Sequence, residues 1–234
     1  MVPMQVADET PPPAPPQAVR LFGERIALAE RYVALLAGPG LERGVLGPRE
    51  TVRLWERHVL NSAVIGDLIP RNCRVLDVGS GAGLPGIPLV LARPDLTVVL
   101  LESMARRVAW LEEVVADLGL PVTVHHGRAE QLEGRAIGQD WDVVTARAVA
   151  PLGRLAGWCL PLARTDGRLL ALKGANASME VARDGSHIRR AGGGAVEIVE
   201  CGVGVLESPA TVVVVTRRRV EMASAPWTRK DRRA

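Results

Sequence analysis

The densest chemistry in the chain lies in one stretch, Val75-Leu76-Asp77-Val78-Gly79-Ser80-Gly81-Ala82-Gly83-Leu84-Pro85-Gly86. An apolar strand pattern runs into a glycine-rich turn, and Pro85 suits the first turn of a following helix. Such a turn lets a ligand approach the backbone closely, and in open α/β sheets ligands bind at the carboxyl edge where it would lie. Two ligand classes compete for it. Gly81-x-Gly83-x-x-Gly86 formally matches the dinucleotide fingerprint, which would make the chain an NAD-dependent oxidoreductase. That fingerprint has small apolar residues before its glycines, whereas here Asp77 precedes Gly79 by two residues. An anion there repels a pyrophosphate and welcomes a cation, so the charge favours S-adenosylmethionine, with its sulfonium and ammonium, over NAD.

Further candidates follow each later strand pattern. Glu102 ends the run from Thr97 and can accept hydrogen bonds from ribose hydroxyls of either ligand. Arg128-Ala129-Glu130 follow the third run, where the backbone and Glu130 would meet an adenine edge. Arg147 ends the fourth run, where it would hold a base oxygen or a phosphate, or form a surface ion pair with Asp142 or Glu130. Lys173 ends the fifth and reads as a phosphate or base contact, or as a solvated lysine. It and Lys230 are the only lysines in an arginine-rich chain. His58 sits in a helical pattern, as an RNA contact or a hydrogen-bonded core histidine.

The elements that must position these residues are legible as period changes. Leu21, Phe22, Ile26, Ala29, Val33 and Leu36 recur at helical spacing until Gly38-Pro39-Gly40. A second helical pattern runs from Val52 to Leu68. From residue 73, short β-branched runs alternate with helical segments: strands at 73–79, 97–102, 121–126, 141–147, 167–173, 195–203 and 210–217, with helices near 85–92, 104–118, 129–133, 151–163 and 176–191. That alternation predicts an α/β fold whose sheet is mostly parallel. The last two strands are joined by a turn at Glu207-Ser208-Pro209, so the C-terminal strand must be antiparallel. The divisions expected are a disordered Pro-rich tail (1–19), an N-terminal helical extension (20–70), a seven-stranded domain (71–217) and a basic tail (218–234).

The 234 residues are 47% hydrophobic and 24% charged, an ordinary globular composition that excludes a fibrous or wholly disordered chain. The longest uncharged run, Val78 to Ala92, is broken by four glycines and two prolines, too short and interrupted for a membrane span. No basic residue precedes Arg20, so no signal peptide is expected. Cys73, Cys159 and Cys201 have no metal or redox spacing; no metal and a cytoplasmic location are expected. The net charge of +3 is uneven: residues 216–234 hold seven basic side chains against Glu221 and Asp231. Arg217, Arg218, Arg219 and the cluster after Pro226 predict a polyanionic partner, or else a solvated tail.

Taken with its continuation Ile87-Pro88-Leu89, the loop closely resembles the signature of the glucose-inhibited division protein B family, small-subunit ribosomal RNA methyltransferases with a seven-stranded Rossmann-like sheet. Glu102-Ser103 with Arg106-Arg107 and Leu111, Thr145-Ala146-Arg147-Ala148, Leu170-Ala171-Leu172-Lys173-Gly174 and His58-Val59-Leu60-Asn61-Ser62 agree with it. Asn61 departs from the family's Asp, and 41–50 lacks its Asn-Leu-Thr. The resemblance spans about residues 20–217. It implies methylation of N7 of a guanine in 16S ribosomal RNA or the small ribosomal subunit, with S-adenosylmethionine converted to S-adenosylhomocysteine, by a monomer. It also implies that Gly79, Leu84, Ala129, Glu130 and Arg147 line the cofactor pocket beside Asp77, Gly81 and Glu102. N7 carries an exposed lone pair, so no general base is expected, and Arg147 and Lys173 are the candidate catalytic contacts. A non-catalytic ribosome-assembly factor on the same fold is the remaining alternative.

Overall fold

The computed structural model describes residues 13–132 and 140–218. Seven strands form one sheet: β1 (Arg74–Val78), β2 (Thr97–Glu102), β3 (Thr123–His126), β4 (Trp141–Arg147), β5 (Ala163–Lys173), β6 (Gly193–Cys201) and β7 (Ala210–Arg217). Their order is β3-β2-β1-β4-β5-β7-β6. The β1–β2, β1–β4, β2–β3 and β4–β5 pairs are parallel, and β7 lies antiparallel between β5 and β6. The expected mixed sheet is therefore present. The consequence for function is directional. Val78, Glu102, His126, Arg147 and Lys173 all end parallel strands and share one edge, whereas Arg217 ends the reversed strand at the other edge.

The strands are apolar on both faces because both are covered. On one face, Val75, Val98, Leu100, Val143 and Leu170 pack against the N-terminal helices, α4 (Gly86–Ala92) and α5 (Ala105–Asp117). On the other, Leu76, Leu101, Val144, Ala146 and Leu169 pack against α6 (Leu152–Cys159) and α7 (Ala177–Arg190). The period of two puts Asp77 and its β4 neighbour Thr145, partners in the strand register, on the α4 face.

Four segments differ from expectation for physical reasons. Helix α1 spans Pro16–Phe22, so the Pro-rich segment is helical from Pro16 rather than disordered through residue 19. Pro16 occupies the first helical position, where its missing N–H costs nothing. The first helical pattern is split by Gly23, at φ 53°, and resumes as α2 (Ile26–Leu35). The second is wound unevenly: a 3-10 stretch at Pro48–Arg53, a π turn at Leu54–Leu60, the single α turn α3 (Asn61–Ala63) and a 3-10 turn at Val64–Leu68. Strand β5 begins at Ala163 because Thr165-Asp166-Gly167, which reads as a turn, is a bulge against β4. Residues 1–12, the end of the helix expected at 129–133, and the basic tail from Arg219 lie outside the described residues.

Gly86 opens α4 where two elements touch. A Cβ there would lie 2.2 Å from Leu100 Cδ2 and 3.0 Å from Asp77 Oδ2. Gly86→Ala is therefore expected to lower unfolding free energy by about 1–3 kcal/mol, the usual cost of overpacking a closed site. Urea denaturation of the variant beside the native chain measures this; equal midpoints would show that α4 can shift without cost.

Candidate functional site at the carboxyl edge of the sheet

The glycine turn is fixed from below, from above and from the side. Below it, Asp77 is fully buried. Its Oδ2 accepts the Gly86 N–H at 3.1 Å, and its Oδ1 accepts the Thr145 hydroxyl at 2.9 Å. Burial raises its pKa to about 6, against the lowering effect of these hydrogen bonds. Asp77 thus does not face the ligand side, as a direct contact would require. It fills the N-terminus of α4 instead. A dinucleotide pyrophosphate takes that position in the Rossmann motif, so the carboxylate still disfavours NAD, by occupying its anion site.

From above, the Ala82 carbonyl accepts two hydrogen bonds, from the Tyr32 hydroxyl at 3.0 Å and the Trp110 indole N–H at 3.1 Å. Neither residue was expected at the site. Tyr32 lies within an apolar helix pattern that reads as packing, and Trp110 reads as core on α5. The only available hint was chemical: buried Tyr and Trp seek a partner for their polar atom. Thr145 was likewise not expected to act at the site. Its signal was a hydroxyl in a fully buried strand, which must find a partner.

From the side, Glu102 is 3% exposed. Its Oε2 accepts the Gly81 N–H at 3.0 Å, and its Oε1 accepts the N–H groups of Ser103 and Met104 at 2.7 and 2.9 Å. A carboxylate has about four acceptor positions, so one remains on Oε2 for an incoming hydroxyl. The expected pair of ribose contacts therefore reduces to one unless Gly81 yields. Space exists above the turn: a Cβ on Gly81 would meet only the Gly79 carbonyl at 3.7 Å and Arg107 Nη1 at 3.8 Å. Gly79 and Gly81 both have positive φ, which L side chains rarely adopt. Leu84 and Ala129 are buried, and Glu130 is exposed, 3.8 Å from Arg128.

Arg147 makes neither expected ion pair. Its Nη1 donates to the His58 carbonyl at 3.1 Å and Ser62 Oγ at 2.8 Å; its Nη2 donates to the Arg57 carbonyl and His58 Nδ1, both at 2.9 Å. Four of its five N–H groups therefore bind the N-terminal extension at its π turn, a winding common at functional positions. His58 is buried, so the expected RNA contact gives way to a core role. Its Nδ1 accepts from Arg147, which makes Nε2–H the donor to Glu50 at 2.6 Å. Burial and then the Arg147 charge push its pKa down, against the pull of Glu50, so the ring is neutral at pH 7.

Lys173 is also committed. Its ammonium donates to the Ala150 carbonyl and to Glu180 Oε2, both at 2.9 Å, so it is not a solvated lysine, and one of its three N–H groups remains. It lines a cavity of about 590 Å³ with Ala150, Pro151, Asn176, Met179 and Glu180. Arg217 is turned inward at the opposite edge, where it donates to the carbonyls of Pro161, at 2.6 Å, and Ala163. Arg218 is exposed at that same far edge, and Arg219 lies outside the described residues. The expected RNA contacts at Arg217 and Arg218 are thus on the wrong side of the sheet for this site.

The family model for rRNA small subunit methyltransferase G (GidB) matches residues 25–206. A ribosomal RNA small subunit methyltransferase G of Salinispora arenicola is 52% identical over 97% of this chain and 96% of its own length. One of Rhodococcus jostii is 54% identical over 86% of this chain and 88% of its own. Solved structures share the fold: the S-adenosylmethionine-dependent methyltransferase SibL in its apo form has a TM-score of 0.57 at 20% identity, covering 87% of this chain and 70% of that one. The pyocyanin biosynthetic protein PhzM has a TM-score of 0.54 at 19% identity, covering 86% and 72%.

The buried Asp77 carries a pH prediction. Its folded pKa of about 6 lies above the ordinary 3.8. The folded state therefore binds a proton that the unfolded state has released, and this contribution is full below about pH 4 and lost as pH rises through 6. Two pKa units correspond to about 3 kcal/mol. Asp77→Asn cannot ionise, so the variant-minus-native difference in unfolding free energy should rise by roughly 2–3 kcal/mol from pH 4 to 7.5. Denaturant titrations at several pH values read this slope, and a difference independent of pH would refute the buried-carboxylate account.

Proposed function

The chain belongs to the rRNA small subunit methyltransferase G family, and from that premise we propose that it transfers a methyl group from S-adenosylmethionine to N7 of a guanine in 16S ribosomal RNA, in the cytoplasm. The observation that carries the cofactor choice is the carboxylate under the turn: Asp77 Oδ2 takes the Gly86 N–H at the start of α4, an anion where a pyrophosphate would need free amides, while the space over Gly81 is open. S-Adenosylmethionine has no phosphate to place there, and when bound it supplies an electrophilic methyl group on a sulfonium.

The chain's own residues then bind and orient. Glu102 offers its remaining acceptor position to a ribose hydroxyl, while Gly79, Gly81 and Leu84 present backbone and apolar surface. Ala129 and Glu130, which follow β3, would meet the adenine. Tyr32 and Trp110, through Ala82, keep the turn from relaxing. A preorganised site of this kind lowers the barrier by orientation. No residue needs to remove a proton, because N7 is nucleophilic as it stands. The commitments of Lys173 to Glu180 and of His58 to Glu50 and Arg147 agree with a reaction that has no side-chain base.

Incubation with labelled S-adenosylmethionine and 16S RNA should yield 7-methylguanosine on nucleoside analysis. Without an obligatory deprotonation, the single-turnover rate should stay nearly flat from about pH 6.5 to 8.5. A log-linear rise of slope near one would argue against N7. S-Adenosylhomocysteine at about 100 times its Kd should add about 2.7 kcal/mol of stability, whereas NADH should add none.

A further inference from the structure

The basic residues that the N-terminal extension carries to the site edge were not part of the expected RNA interface. Arg49, Arg53 and Arg57 are all exposed. The carbonyl of Arg57 is held by Arg147, so this stretch is pinned beside the carboxyl end of β4, the strand next to the glycine turn. Some exposed arginines elsewhere pair with acids (Arg31 with Asp117, Arg43 with Glu113, Arg164 with Asp142, Arg183 with Asp184), whereas others, such as Arg71, Arg168 and Arg190, have no carboxylate within 4 Å among the described residues, so it is position at the site edge that singles out the extension. Among the described residues, Arg49 and Arg53 have no carboxylate within 4 Å, and Arg57 has only Glu50 at 3.7 Å.

That one carboxylate is already used, since Glu50 Oε2 accepts the His58 N–H at 2.6 Å. Glu56 is turned away, accepting the Glu207 N–H at 2.6 Å. Arg147 adds a second, independent sign. Its four hydrogen bonds go to two carbonyls, a hydroxyl and a neutral imidazole nitrogen, and it has no carboxylate within ion-pair distance. A partly buried guanidinium without a counter-charge is costly, and it projects its field to the surface that Arg57 covers. Arg57 and Arg147 thus meet at the site edge with one engaged carboxylate between them, and Arg49 and Arg53 are exposed on the 3-10 stretch that leads into it.

We propose that Arg53 and Arg57, backed by the charge of Arg147, hold phosphates of the RNA strand that leads the target base to the carboxyl edge. The proposal rests on the RNA methyltransferase reading above and assigns its substrate-binding surface. Guanidinium groups suit this partner because they bind phosphate oxygens in pairs, and Arg53 lacks any competing acid. The surface also lies on the cofactor's side of the sheet, which Arg217 and Arg218 do not.

The test uses the full-length protein with Arg53→Gln and Arg57→Gln combined, and Arg218→Gln as the far-edge control. Binding of a labelled 16S RNA fragment is titrated at several salt concentrations, and S-adenosylhomocysteine affinity is measured by calorimetry. Loss of two phosphate contacts should make the log–log salt slope shallower by about 1.4, taking roughly 0.7 per contact on a single strand. Affinity for S-adenosylhomocysteine should be unchanged, which also reports an intact fold. Arg218→Gln should superimpose on the native protein. Superimposable salt titrations for native and double variant would overturn the proposal, as would a larger effect from Arg218→Gln. If the native protein methylates 16S RNA while the slope is unchanged, this surface alone is wrong. If the native protein methylates no RNA, the functional reading itself falls.

Discussion

A single carboxylate placed in a buried strand organises the site. Asp77 is removed from water at a cost visible in its raised pKa, and it is tolerated because two donors converge on it. One donor comes from β4 and the other from the first residue of α4, so Asp77 joins both neighbours of β1 at the point where the chain must turn. Asp77 takes the Gly86 N–H and the Gly83 carbonyl takes the Ile87 N–H at 2.8 Å, so the first amides of α4 are satisfied by the strand and the turn together. The turn's own first amides go to β2: the Gly79 N–H meets the Leu101 carbonyl at 2.8 Å, and the Gly81 N–H meets Glu102. The turn is thereby tied to β2 as well, and β1, β2, β4 and α4 are fixed relative to one another around it.

The N-terminal extension is built into the same arrangement by a second set of polar contacts. Tyr32 on α2 reaches the Ala82 carbonyl, and Arg147 at the end of β4 reaches the π turn carrying Arg57 and His58. These contacts lie within or beside the apolar face formed by Phe22, Val33, Leu54, Val59 and Ile65, which supplies the bulk of the adhesion. The polar contacts contribute less energy individually, about 1 kcal/mol for a typical hydrogen bond, but they are directional. They decide where along the sheet edge the extension sits, and hence that Arg57 lies beside the end of β4.

Much of the fold was legible because it rests on short-range pattern. β-Branched runs separated by helical periods gave all seven strands, with the largest shift at β5, where Asp166-Gly167 makes a bulge that looks like a turn. The antiparallel end followed from Pro209 and the short connection before it. At the site, the residues adjacent to the turn were also legible, since glycine spacing and a strand-terminal acid are local signals. Tyr32, Trp110 and Thr145 were not. Each acts through a partner distant in sequence (Tyr32 and Ala82 are fifty residues apart), and nothing in a helix pattern distinguishes a tyrosine that packs from one that also reaches a carbonyl. Arg147 and Lys173 were found by position, but the partners that hold them were not, because a strand-end cation looks free until its neighbours are known.

The misplacement of the RNA contacts has a more specific cause. The cluster at Arg217 to Arg219 was read by charge, and charge in sequence carries no direction. Parallel strands deliver their last residues to the ligand edge, so Glu102, Arg147 and Lys173 arrive together. A reversed strand delivers its last residues to the opposite edge, and β7 is the reversed strand. The prediction that the C-terminal strand is antiparallel therefore already contained the correction: Arg217 must emerge near the start of β5, beside Ala163, and not near Arg147. The same reasoning, applied to the helical extension, locates basic residues by what anchors them. Arg57 is placed at the active edge by its own backbone carbonyl, through a strand-end arginine ninety positions away. Strand polarity and anchoring contacts, more than local charge density, determine which basic residues of an α/β enzyme can meet a polyanion.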